Sequence, residues 1–413
     1  MPSRMMNWTS LRAIIIIVII AVASFLALFF ASVNLPILFS FRSQEEATYF
    51  ETSELLLREV VATTADLRGF PRPSDLKLEV HDRNWARENF GNRYVEAFSD
   101  EIAFQEAVFK AVFLISSNTS LAEIRVEQAG WTVASAYGDR VFVIQDFFNP
   151  EDRSSSAGTL AHEITHILQM RNLPTLDPQL FDEKHAWLAL IEGDADLTSD
   201  ELARIEGLSS RLRIPRASEA GLLDVSLDPL TQVFFFPYRF GPDFVEHAFE
   251  SGGWPAVDEL YQRPPTSTEQ LLHDEKYLAK ENPKPVAVEL KLPSEWTLEG
   301  SDRMGEYFLL ILLASKIQVE SAVSAAAGWG GDNMTLFRNQ DSTLVAWKIV
   351  WDTREDAIEF NDAFRIWLET MGGEHIAPDV WRVDTRYFLL RLHLEETLVV
   401  SSIQLRDLDP LRT

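Results

Sequence analysis

Leu160–Gln169 reads LAHEITHILQ. His162 and His166 stand four residues apart, so on a helix both imidazoles project from one face and can share a metal ion. Glu163 is rotated by about 100° from His162. That places it to reach a water beside the metal without joining the ligand set. Tetrahedral zinc suits such nitrogen and oxygen donors, and a catalytic zinc needs one more protein ligand and an open position. The bland alternative is a pair of histidines on a helix surface. Leu160, Ala161, Ile164, Ile167 and Leu168 argue against it, because they make this a largely buried helix. Two buried histidines beside a glutamate need a partner to offset their desolvation.

The missing ligand is expected on a following helix packed against the first. Ala189–Leu197 reads ALIEGDADL and offers Glu192, Asp194 and Asp196. Glu192 and Asp196 are four apart on one face, whereas Asp194 points elsewhere. A glutamate reaches further across an interhelical gap, so Glu192 is the expected third ligand. Asp196, one turn on, is then placed to accept the outer N–H of a ligand histidine and fix its tautomer. Gly193 is expected to let the two helices approach closely. An exposed acidic face is the competing reading, but Trp187, Leu188, Leu190 and Ile191 make this helix at least half buried too.

Upstream of the motif, the segments 131–136 and 140–146 are rich in β-branched and aromatic residues. Gly138-Asp139 lies between them, so they read as a hairpin. A helix cap is expected at Ser154–Ser156. Earlier still, amphipathic helices are predicted over about 47–67 and 100–113. Ala13–Val33 holds 21 residues without a charge, long enough to cross a bilayer as one helix. Arg4 and Arg12 precede it and Glu45 and Glu46 follow, which orients the N-terminus to the cytoplasm and the rest of the chain outside it. A cleaved signal peptide with secretion is the alternative reading.

Downstream, residues 157–280 are expected to be mostly helical, and the Pro-rich stretch 281–293 reads as a boundary. Beyond it, a buried helix is predicted around 306–327. Strands are expected near 334–338, 343–351, 381–393 and 396–401, with a helix near 354–369. This is a separate α+β module. Its Gly328–Gly331 turn lacks the lysine of a phosphate loop, so a structural role is expected there.

Composition limits the partners. Of 413 residues, 46% are hydrophobic and 24% charged, as in a folded globular chain. The 37 Lys+Arg against 63 Asp+Glu give a net charge of −26, which repels nucleic acid and anionic lipid headgroups alike. Attachment to a bilayer must therefore be hydrophobic, through the N-terminal segment. There are no cysteines, so disulfides, thiolate metal sites and cysteine nucleophiles are excluded.

HEITH followed 26 residues after His166 by Glu192, with Asp196 four beyond, resembles the gluzincin branch of zinc metallopeptidases, the thermolysin-like clan. AHExxHxLQ with a later EGDA also resembles a set of membrane-anchored or secreted predicted metallopeptidases. The resemblance covers about 40 residues and includes no substrate-pocket motif. It implies zinc held by His162, His166 and Glu192, Glu163 as general base, and Asp196 supporting a histidine. It also implies an α+β fold with a zincin-like core, namely a small antiparallel sheet plus active-site helices. The expected layout is an anchor and connector over 1–45, a metallohydrolase domain with a helical subdomain over 46–285, and the α+β module over 286–413.

An enzyme of this class needs an oxyanion stabiliser, and His273 in PPTSTEQLLHDEKY (264–277) is the first candidate. Tyr277, Tyr238 and Arg239 follow it. An extended peptide is expected to bind along the edge of the strand over 141–146. His185 lies on the face of Glu192 and is read as a supporting or solvated residue. His81, His247, His375 and His393 show no partner pattern. The expected function is zinc-dependent hydrolysis of peptide or protein substrates. The alternatives are a catalytically silent binding or assembly protein of the same fold, or a hydrolase of non-peptide amides.

Overall fold

The computed structural model describes residues 44–209, 213–224 and 226–411. The expected anchor, Ala13–Val33, lies outside them. Among the described residues no helix is long and apolar enough to cross a membrane. The fold is α+β, with many helices, a three-stranded sheet and a seven-stranded antiparallel sheet.

The chain enters through α1 (Gln44–Arg68), longer at both ends than its apolar pattern predicts. Strand β1 (Lys77–His81) follows, then an irregular helical stretch over 83–97, α2 (Ser99–Ala111) and α3 (Leu121–Ala129). The predicted hairpin forms from β2 (Ala134–Tyr137) and β3 (Arg140–Ile144), turning at Gly138 with φ +62°. That left-handed value favours glycine. The small sheet is mixed rather than wholly antiparallel, because β1 pairs parallel to β3 on its other side. Strand β3 is therefore central, with both edges taken. The expectation that it offers an edge to a peptide is overturned.

The motif helix, α4 (Arg153–Asn172), is capped by Asp152, whose carboxylate accepts the Ser155 N–H at 3.4 Å. The expected serine cap is absent because Ser156 instead donates to the Asn149 carbonyl at 2.6 Å. Every residue from Ser156 to Gln169 is buried, since α1, β2 and the next helix surround α4. Helix α5 (Phe181–Glu206) carries the acidic triplet and ends at Gly207, which takes a left-handed φ of 68°. It packs on α4 along one face and on α6 (Pro229–Gly252) along another.

Gly193 does serve a close helix crossing, but with α6 rather than α4. A Cβ added at Gly193 would lie 2.2 Å from the Gly241 carbonyl oxygen, and one at Gly241 would lie 2.0 Å from that of Ala189. Backbone meets backbone there, so no rotamer change relieves the clash. Gly193→Ala is expected to destabilise the chain by about 2–3 kcal/mol, read as a fall in the denaturation midpoint. An unchanged midpoint would show that the crossing is slack.

After α7 (Trp254–Gln262) and two short helical turns comes the C-terminal sheet, ordered β4-β5-β6-β10-β9-β8-β7. Its members are β4 (Thr297–Asp302), β5 (Trp329–Arg338), β6 (Thr343–Trp351), β7 (Glu374–Ala377), β8 (Val380–Val383), β9 (Arg386–His393) and β10 (Glu396–Ser402). Alternation along β6 sorts its two faces. Val345, Trp347, Ile349 and Trp351 point to the helices, while Leu344 and Ala346 point to Leu290, Leu292 and Trp296 of the incoming linker. The predicted helix over 306–327 is broken into α8 (Gly305–Ala314) and α9 (Val319–Ala326); α10 (Arg354–Thr370) follows. The predicted strand over 381–393 is a hairpin of β8 and β9, turning at Asp384 with φ +50°. The module is not insulated from what precedes it. Phe308 of α8 stacks on Phe109 of α2 at 5.5 Å, and Ser401 donates to the Ala111 carbonyl at 2.8 Å.

Candidate metal centre

Helices α4 and α5 bring His162, His166 and Glu192 together. The His162 and His166 Nε2 atoms are 3.2 Å apart. Glu192 Oε2 lies 3.2 Å from the first and 3.7 Å from the second. The rings cross at 89°, so both edges point to one spot instead of stacking. All three residues are buried, with Glu192 at 0% exposure.

The far side of each ring decides what that spot can hold. His162 Nδ1 lies 2.9 Å from Asp196 Oδ1. An ionised carboxylate only accepts, so Nδ1 carries the proton. His166 Nδ1 lies 2.9 Å from Gln169 Oε1. The Gln169 amide cannot be turned round, because its Nε2 donates to the Ile191 carbonyl at 2.9 Å and to Asp194 Oδ2 at 3.0 Å. His166 is thereby held in the same tautomer. Both Nε2 atoms then present lone pairs toward each other and toward a carboxylate oxygen. Three electron-pair donors converging in a dry interior make a set that could hold a cation.

The spacing fits zinc. Donors about 2.0–2.1 Å from a tetrahedral ion lie about 3.3 Å from one another, close to the observed 3.2, 3.2 and 3.7 Å. Glu163 is buried beside His162 and is not one of the three clustered donors. Asp194, rejected as a ligand on helical geometry, is not one of the three clustered donors either. It pairs with Arg68 Nε at 3.1 Å and accepts the Tyr261 hydroxyl at 2.8 Å. Burial, then the Asp194 charge, holds that hydroxyl well above its ordinary pKa, so it stays a donor. Arg68 also reaches Asp258 at 2.8 Å.

A chain of contacts thus runs from His166 through Gln169 and Asp194 to Arg68, the last residue of α1. The sequence reading missed it. Gln169 lies three residues after His166, a spacing at which a helical side chain can reach back, and this was the available signal. Loss of such a support costs about 10–100-fold in metal affinity. Gln169→Leu is expected to weaken zinc binding by that factor in competition with a chromophoric chelator. Affinity equal to wild type would remove Gln169 from the site.

His273 is not in the cluster. It lies between two short helices with Nε2 2.9 Å from Glu306 Oε1, a hydrogen bond that raises its pKa. Tyr277 donates to the Arg263 carbonyl at 2.8 Å, and Tyr238 packs with Ile214 and Phe235. His185 is buried, not solvated. It contacts the Phe181 carbonyl at 2.8 Å, and burial pushes its pKa down to about 4. A second acidic group, Glu269, Glu281 and Asp352, already has its cation. Lys276 Nζ sits 2.5, 3.0 and 2.6 Å from the three carboxylates.

Comparison with known proteins bears mainly on the other end of the chain. A family model described as a domain of unknown function (DUF8575) matches residues 295–412, the C-terminal sheet and its helices. No curated protein matches the chain. A solved structure from Chloroflexus aurantiacus, described as a candidate hydrolase with a novel fold, is similar at a TM-score of 0.34 and 16% identity. That similarity covers 58% of this chain and 92% of the other. A likeness of that strength does not define a shared fold.

Proposed function

We propose that the chain is a zinc-dependent hydrolase of the gluzincin kind, acting on peptide bonds, with a zincin-like core built from the small sheet, α4 and α5. The observation that carries this reading is the convergence of His162 Nε2, His166 Nε2 and Glu192 Oε2 while both Nδ1 positions are committed elsewhere. His162, His166 and Glu192 would hold the ion. When bound, zinc supplies a Lewis acid that polarises a carbonyl and acidifies water. Glu163 takes the proton of the attacking water and returns it to the leaving amine. Asp196 and Gln169 hold the two imidazoles in the tautomer that ligation needs.

Attachment to a bilayer through residues 13–33, with the site outside the cytoplasm, belongs to this proposal and rests on the apolar N-terminal stretch alone. A second reading, a metal-holding scaffold without turnover, predicts the same three ligands but gives Glu163 no role. The deciding experiment is a peptide-library screen of the zinc-loaded chain beside Glu163→Gln. Cleavage that depends on Glu163 supports the hydrolase; absence of cleavage by both zinc-loaded proteins favours the scaffold.

A further inference from the structure

Helix α6 contains a stretch, Leu230–Pro242, whose one formal charge is Arg239. The neighbouring Phe235, Phe236, Tyr238 and Phe240 are buried, and Arg239 itself is only 1% exposed. Its Nη2 donates to the Gly221 carbonyl, while its buried Nη1 has no hydrogen-bond partner. Among the described residues no carboxylate lies within ion-pair distance of it. The guanidinium is therefore buried without a carboxylate counter-charge among the described residues.

The side chain lines a cavity of about 50 Å³. Ile214, Pro215, Leu227 and Phe235 supply apolar walls, and Asp224 also lines the cavity. Asp224 makes no ion pair with Arg239; its Oδ1 accepts the Ser226 N–H at 3.0 Å and hydroxyl at 2.6 Å.

We propose that this cavity is a carboxylate-binding site with Arg239 as its anchor. One guanidinium matches one singly charged, planar carboxylate. A phosphate dianion is disfavoured by the apolar walls, by Asp224 and by the net charge of −26. The pocket is also tied to the metal centre. Ile214 and Pro215 lie between Arg213 and Arg216, which hold Asp200 at 3.7 and 2.8 Å. Asp200 is one turn beyond Asp196 on α5, and Asp196 holds His162. The anion site stands without the peptidase reading. Its assignment as the pocket for a substrate carboxylate rests on that reading.

Calorimetric titration of the full chain, with and without zinc, uses three probes at matched ionic strength: N-acetylalanine, the α-amide of N-acetylaspartate, and N-acetylalanine amide. The first carries a main-chain carboxylate, the second a side-chain one and the third none. Saturable binding of either acid, but not of the uncharged amide, is expected, and the acid preferred identifies the source. Arg239→Gln should weaken that binding by at least about tenfold. Ala220→Phe, which adds bulk to the cavity from an exposed lining position, should do the same while leaving Arg239 and the fold in place. Glu163→Gln should bind as wild type, so the result is separable from any failure of turnover. The proposal is overturned if neither acid binds. It is equally overturned if both pocket variants bind as wild type, which is how an acid held by the metal alone would behave.

Discussion

His162→Ala and Glu192→Ala are expected to purify without zinc, whereas the wild-type chain carries about one ion. Each variant removes one of three protein donors, so the fall in affinity should exceed the 10–100-fold assigned to an outer support, reaching on the order of 10³-fold or more. The measurement is metal content by mass spectrometry after dialysis, paired with thermal unfolding with and without added zinc. A ligand at a hundred times its dissociation constant stabilises the native state by about 2.7 kcal/mol. Added zinc should therefore raise the wild-type midpoint by several degrees and leave the variants unmoved. Both side chains are buried, so truncation also opens a cavity. Glu192→Gln, which keeps the volume and loses only the charge, separates the two effects. Zinc retained at wild-type levels in all three variants would defeat the ligand assignment.

The strength of that prediction comes from how much of the site could be read from spacing alone. The histidines and Glu192 obey the helical repeat, which depends on no tertiary detail. It correctly separated Asp194 from Glu192 and Asp196. What spacing could not reveal was the use made of Asp194. Its partners Arg68 and Tyr261 come from elements 126 and 67 residues away in sequence, and no local pattern connects them. Gly193 shows the same limit. Its smallness announced a close approach, but whether α4 or α6 made it was a question of packing.

The fold divides along similar lines. Local chemistry sufficed for the hairpin of β2 and β3, with its Gly138-Asp139 turn, and for the long helices. It failed for β1, whose five residues KLEVH become a strand only because β3 accepts them in parallel, 63 positions further on. The break between α8 and α9 and the turn at Asp384 were hidden for a related reason. Neither carries a proline or glycine at the point where the chain changes direction. Buried polar residues such as Arg239 are conspicuous only once the surrounding helix is known to be enclosed.

Glu163→Gln is expected to keep its zinc and lose its catalysis. The substitution preserves the size of the side chain and removes its ability to accept a proton. It touches none of the three clustered donors, so metal content and unfolding midpoint should match wild type. General base catalysis contributes about 10²–10⁴-fold, and the turnover number should fall by that factor on whichever peptide the wild-type chain cleaves. The loss should appear in kcat rather than in KM, because the glutamate acts on the proton in transit and not on the bound ground state. Equal rates would remove Glu163 from the chemistry, and a parallel loss of zinc would mean that it supports the ligand set instead. Absence of turnover in both proteins, with zinc bound in both, is the signature of the scaffold. If His162, His166 and Glu192 hold zinc as proposed, the behaviour of this one carboxylate determines whether that site is an enzyme.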